Sequence, residues 1–240
     1  MTGPPIIGGA SAQELAAPQL EFSVTGVEAL RHAATPTLAF GLEIESERPV
    51  RSVLLDVQVQ IAARRRGYEG AEHERLAELF GEASRWGTTL RTVPWTRATA
   101  VVKPFAGKTS VELTIPCTYD FEVTASRYLH ALEDGEVPLE LLFSGTLFYA
   151  DEETGALRIA RIGWDREAEI AMPVRVWREA MDSHFPNSAW LRLGREPFDR
   201  LAAYKARHAL VSWEAALDAL LDRAEAAEGT ARPPDRPPTP

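Results

Sequence analysis

The side chains able to do chemistry in this chain are few and scattered. Cys117 is the single cysteine, and one thiol forms neither an intrachain disulfide nor a thiolate cage for a metal. Placed after Pro116 at the end of an alternating segment, it is expected to be a small core filler. The five histidines, His32, His73, His130, His184 and His208, supply no ligand pair at helical or strand spacing. Asp182 and His184 stand two apart and His73 precedes Glu74, but neither pair belongs to a metal-ligand pattern. Asp151, Glu152 and Glu153 lack the alternating ligands and closing glutamate of a calcium loop, so a solvated turn is expected. Arg64, Arg65 and Arg66 with Tyr68 form a small basic-aromatic run, which is read as a charged strand end that discourages edge-to-edge association.

Nucleophilic catalysis needs a base beside the nucleophile and a group to orient that base. No G-x-S-x-G elbow, phosphate loop or G-x-G-x-x-G turn announces one. No catalytic, cofactor-binding or metal-binding residue is therefore assigned, and no cofactor is expected.

The elements that must position these residues are drawn from 240 residues that are 45% hydrophobic and 25% charged, a balance that buries a sizeable core without staples. The formal charge of -9 repels nucleic acid and anionic membranes, so no nucleic-acid partner is expected. The N-terminus lacks the basic stretch and apolar run of a secretory signal, and no apolar run reaches bilayer length. With a lone cysteine, this predicts a cytoplasmic protein with no membrane insertion.

Alternation dominates the first three quarters. Leu20, Phe22 and Val24 begin it, and Leu38, Phe40, Leu42 and Ile44 continue it. Val53, Leu55, Val57, Val59 and Ile61 form the next segment, after Pro49. Residues 72–80 carry a helical period, and 88–102 are extended around Pro94, which suggests an edge or bend. Val111, Leu113 and Ile115 alternate again, 126–132 make a short helix, and 139–149 read as the central strand. A turn over 151–155 leads to a strand with Leu157 and Ile159, and Ile170 and Met172 add one more. The expected fold is α+β, mostly β: an antiparallel β-sandwich or open barrel of about eight strands with a helical C-terminal segment.

Helical patterning takes over after Pro173. One helix is expected over 174–185, another after Gly194 with Pro197 in its first turn and Leu201, Tyr204 and His208 on one stripe. In the last helix Ser212 is the N-cap, and Trp213, Ala216, Leu217, Leu220 and Leu221 make a continuous apolar face. The chain thus divides into an N-terminal tail (1–19), a sandwich (20–173), C-terminal helices (174–228) and a Pro-rich tail (229–240). Six tryptophans are many for this length. Most are expected in the core, with one or two near the helical segment acting as interface anchors.

Three stretches, PWTRATAVVKPFAGKTSVELTIPCTYDF (94–121), HFPNSAWLRL (184–193) and YKARHALVSWEAAL (204–217), together resemble an actinobacterial family of unknown function. The likeness spans roughly residues 20–225. It implies a setting near genes for nickel-iron hydrogenase subunits, and no functional residues to carry over. Two readings follow. The first is a non-catalytic accessory or interaction protein that serves hydrogenase assembly or stability, with Trp190, Tyr204, Trp213 and Leu217 as partner-binding residues. The alternative is a small-molecule-binding sandwich or an unrecognised hydrolase, with His184, Asp182 or Tyr204 in a pocket.

Overall fold

Alternating apolar residues put one face of each strand into a common core, and the strands assemble around the longest of them. The computed structural model describes residues 17–118, 120, 123–186 and 192–231. Seven strands and six helices are found among them. The strands are β1 (Leu20–Ala29), β2 (Thr37–Ile61), β3 (Val93–Val102), β4 (Phe105–Pro116), β5 (Glu136–Ala150), β6 (Leu157–Arg161) and β7 (Glu167–Pro173). The helices are α1 (Ala71–Phe80), α2 (Trp86–Thr89), α3 (Thr124–Ala131), α4 (Val174–His184), α5 (Arg195–Arg207) and α6 (Trp213–Ala231). The sheet is antiparallel throughout and does not close.

β2 organises everything else. Its first half pairs with β1 on one edge and β4 on the other, and its second half pairs with β5 and β3. The two alternating segments expected as separate strands on either side of Pro49 are therefore one 25-residue strand. Pro49 falls where β2 is irregular: Ser46 pairs with Gly107 and the next pair is Val50 with Phe105. Against β5, Val50 pairs with Tyr149 and Ser52 with Phe148, which leaves Arg51 as the extra residue of a bulge. The side-chain parity flips there. Leu38, Phe40, Leu42 and Ile44 are buried before it, and Val53, Leu55, Val57, Val59 and Ile61 after it. A proline that cannot donate to a ladder is tolerated at such a bulge, and this merger is why seven strands stand where eight were expected.

The bend turns the first-half strands toward the second-half strands. Phe22 of β1 stacks on Phe143 of β5 with ring centroids 4.3 Å apart and planes 11° apart, closing a sandwich-like core. Trp177, Ala180 and Met181 of α4 are buried in the same core. Gly145, at φ 139°, sits where an added Cβ would meet the Leu54 carbonyl oxygen at 2.0 Å. Only glycine allows β5 to lie that close to β2.

β6 and β7 lie end to end along the free edge of β5, at 146–150 and 136–142. Between them the chain leaves the ladder after the Ile162 amide bonds to Gly145, and returns where Phe143 bonds to the Arg166 carbonyl. Trp164 stands on this excursion, 93% exposed.

The chain divides into two compact units, residues 1–190 and 191–240. Helix α4 thus belongs with the sheet rather than with the later helices. In the second unit α5 and α6 form a helical hairpin. Pro197 lies in the first turn of α5, and Ser212 Oγ accepts from the Ala215 amide at 3.0 Å, capping α6. α6 continues past Gly229 to Ala231. α5 ends with the Leu210 amide bonded to Lys205 and the Ala209 amide to Ala206, a Schellman closure with Ala209 at φ 51°.

Candidate functional site

The polar residues capable of chemistry are largely spent on holding the sheet unit together. Arg66, expected at a solvated strand end, instead turns inward. Its guanidinium meets the Glu72 carboxylate through two parallel bonds, Nη1 to Oε2 at 2.6 Å and Nη2 to Oε1 at 2.9 Å. It also donates from Nε to the Glu136 carbonyl at 3.1 Å and from Nη2 to the Asp134 carbonyl at 2.5 Å. Glu72 accepts the Glu133 amide at 2.8 Å. Burial pushes the Glu72 carboxyl up, but the bonds from Arg66 and Glu133 outweigh it and hold the group below the usual carboxylate range. This cluster ties α1 to the turn before β5. Arg65 follows the surface reading better, pairing with Glu169 at 2.6 Å and Glu140 at 3.3 Å across the strands.

Beside it, the Tyr68 hydroxyl donates to the Ala63 carbonyl at 2.7 Å and lies 2.8 Å from the Tyr128 hydroxyl. Tyr128 is fully buried, and burial drives its phenol far above the ordinary value. Trp86 closes the group, its ring perpendicular to that of Tyr68 and its Nε1 bonded to the Gly81 carbonyl at 2.8 Å. These bonds brace α1 and α3 against the strands beside them.

His184 and Asp182 do not converge. His184 Nε2 lies 2.8 Å from the Ala33 carbonyl, tying the end of α4 to the loop before β2, while Asp182 is exposed. Tyr204, the third residue of the pocket reading, belongs to the helical unit. Cys117 is buried and its thiol is pushed up to about 12 by burial, as a core filler would be. Among the described residues no group of three or more His, Cys, Asp or Glu side chains is placed to hold a metal ion. No helix among them is long and apolar enough to cross a membrane.

The residues singled out for partner binding fare differently. Trp190 lies outside the described residues. Tyr204, Trp213 and Leu217 share the α5–α6 unit. Tyr204 is buried, lies tilted against His208 with centroids 4.4 Å apart, and carries the Arg223 guanidinium over its ring at 5.4 Å. Trp213 packs near Phe198 at 5.4 Å, with Lys205 Nζ over its ring at 5.5 Å. Tyr204 and Leu217 line a groove of about 600 Å³ together with Leu201, Leu220, Arg200 and Arg207. Phe198, Trp213, Leu217, Leu220 and Leu221 all remain more than a third exposed. A two-helix hairpin covers only part of its apolar side chains, and the rest stay open to solvent. Of the six tryptophans, Trp86 and Trp177 are buried, whereas Trp164 and Trp213 are exposed.

A model for a family of unknown function, DUF6084, matches residues 17–229. The chain belongs to this family. Its members share no assigned activity, so the match delimits the folding region without naming a reaction. No curated protein matches the chain. Among solved structures, a β-glucosidase from Kluyveromyces marxianus aligns over 65% of this chain at 10% identity with a TM-score of 0.26. The chain spans 15% of that enzyme's length. A candidate ApaA protein from Bordetella pertussis aligns over 65% of this chain and 94% of its own, at 15% identity and a TM-score of 0.25.

Proposed function

We propose that this DUF6084 protein is a non-catalytic accessory protein that docks a protein partner on the apolar groove of its α5–α6 unit, and that it serves the assembly or stability of a nickel-iron hydrogenase. The observation carrying the docking reading is the exposed Phe198, Trp213, Leu217, Leu220 and Leu221 surface on one helical hairpin. Aromatic and leucine side chains beside Arg200 and Arg207 suit the apolar face of an amphipathic helix whose flanks carry carboxylates. The hydrogenase assignment rests on the genomic setting implied by the family resemblance.

The test is purification of the full chain from its native host beside a Leu217→Glu/Leu220→Glu variant, followed by identification of bound proteins. The expected result is stoichiometric recovery of a hydrogenase subunit with the native chain and its loss with the variant. Equal recovery with both would remove the groove. Recovery of no hydrogenase component would remove the process.

A further inference from the structure

The free edge of the sheet ends at β6, and its hydrogen-bond phase follows from two bonds. The Asp151 amide bonds to the Ala156 carbonyl, and the Ile162 amide to the Gly145 carbonyl. With Leu157 opposite Ala150 and Arg161 opposite Thr146, these bonds make both end pairs non-hydrogen-bonded. Arg158 and Ala160 therefore spend their backbone groups on β5, whereas Leu157, Ile159 and Arg161 turn theirs away from it. Among the described residues, β6 pairs with β5 alone. Leu157 and Ile159 are also 64% and 65% exposed. Natural sheets seldom leave such an edge bare.

We infer that two copies of this chain join through β6, antiparallel across a two-fold axis at Ile159, so that the two sheets run on as one. The self-complementarity is read from the register. Centring on Ile159 sets Leu157 against Arg161 of the second copy, Ile159 against Ile159, and Arg161 against Leu157. All three outward-turned residues then exchange backbone bonds, and no arginine opposes another. Centring on Arg158 would oppose two arginines, and centring on Ala160 would use only Ile159 and Arg161. The far end of β6 carries Arg161 and Arg166 but also Asp165 and Glu167, so it is charge-balanced and the register rests on the backbone phase and the side-chain oppositions within β6. The same register brings exposed Trp164 toward the turn of the other copy, where Gly155 has open space over its Cα.

Sedimentation of the full chain at micromolar concentration tests this, with a mass of twice 26.5 kDa expected. Ile159→Pro removes one outward N–H and no β5 bond, so it should give a monomer with unchanged circular dichroism. Ile159→Lys keeps the strand and should do the same if the proline proves disruptive. Cys117 is buried, so mild oxidation should link Ile159→Cys chains as dimers and link Leu157→Cys to Arg161→Cys, while Arg161→Cys alone stays unlinked. A monomer at every concentration overturns the proposal. So does a dimer that survives both Ile159 variants, or one that is lost with Leu217→Glu/Leu220→Glu instead.

Discussion

Arg66 and Glu72, six residues apart, form a side-by-side ion pair whose side chains are only 10% and 7% exposed. Removing one member leaves the other charged and buried, which costs roughly 3–5 kcal/mol. Glu72→Gln is expected to lower the unfolding free energy from urea titration by that amount near neutral pH. Because the folded-state carboxyl is held below its ordinary value, its stabilisation is full above the unfolded glutamate value of about 4.3 and fades as the pH falls through the folded value. Native and variant stabilities should therefore converge in acid. A constant gap across that range would show that the pair is not the cause.

The two tyrosines beside it differ in what their loss strands. Tyr68 donates to Ala63, so the Tyr128 hydroxyl must donate to Tyr68. Tyr68→Phe deprives both Tyr128 and Ala63 of a partner and should cost roughly 1–3 kcal/mol, against about 1 kcal/mol for Tyr128→Phe. Equilibrium denaturation of the two variants would decide the order, and the reverse order would refute this donor assignment.

Cys117 should be nearly inert while the chain is folded. With the thiol near 12, roughly one molecule in ten thousand is a thiolate at about pH 8. Labelling by an aromatic disulfide should be slow in buffer and immediate in denaturant. Fast, complete labelling of the native protein would contradict the burial.

Ala209 closes α5 from the left-handed region, where a side chain costs about 1–2 kcal/mol. Ala209→Gly should stabilise the α5–α6 unit by about 1 kcal/mol, after allowing for the freer unfolded chain. Thermal unfolding followed by helical dichroism would register it, and a loss of stability would mean that the Schellman closure is not populated.

Most of the fold was legible because periodicity reports burial directly. The alternation of β1, both halves of β2, and β5 was readable, as were the helical stretches of α1 and α4 and the Ser212 cap. What escaped depended on partners distant in sequence. Pro49 reads as a break, yet a bulge absorbs it, because β3, β4 and β5 hold β2 on both sides of it. Arg66 reads as one of three surface arginines. Its inward turn is visible only once Glu72, Glu133 and Asp134 are brought around it. The apolar stripe of α6 was readable from its periodicity, and the groove lined by Tyr204 and Leu217 lies along it. The outward phase of β6 had no signal, since hydrogen-bond phase leaves no trace in residue type.

The four-partner strand also sets a timetable for synthesis. β2 pairs with β1 soon after leaving the ribosome, but its Val53 waits for Val102, and its Ile61 waits for both Val93 and Leu139. During that interval one of the most apolar segments of the chain is held by a single hairpin, and loop closure over such separations is slow. A chain that ends before Glu136 lacks the strand that pairs with β2 from Val50 to Ile61, and so cannot complete its own centre.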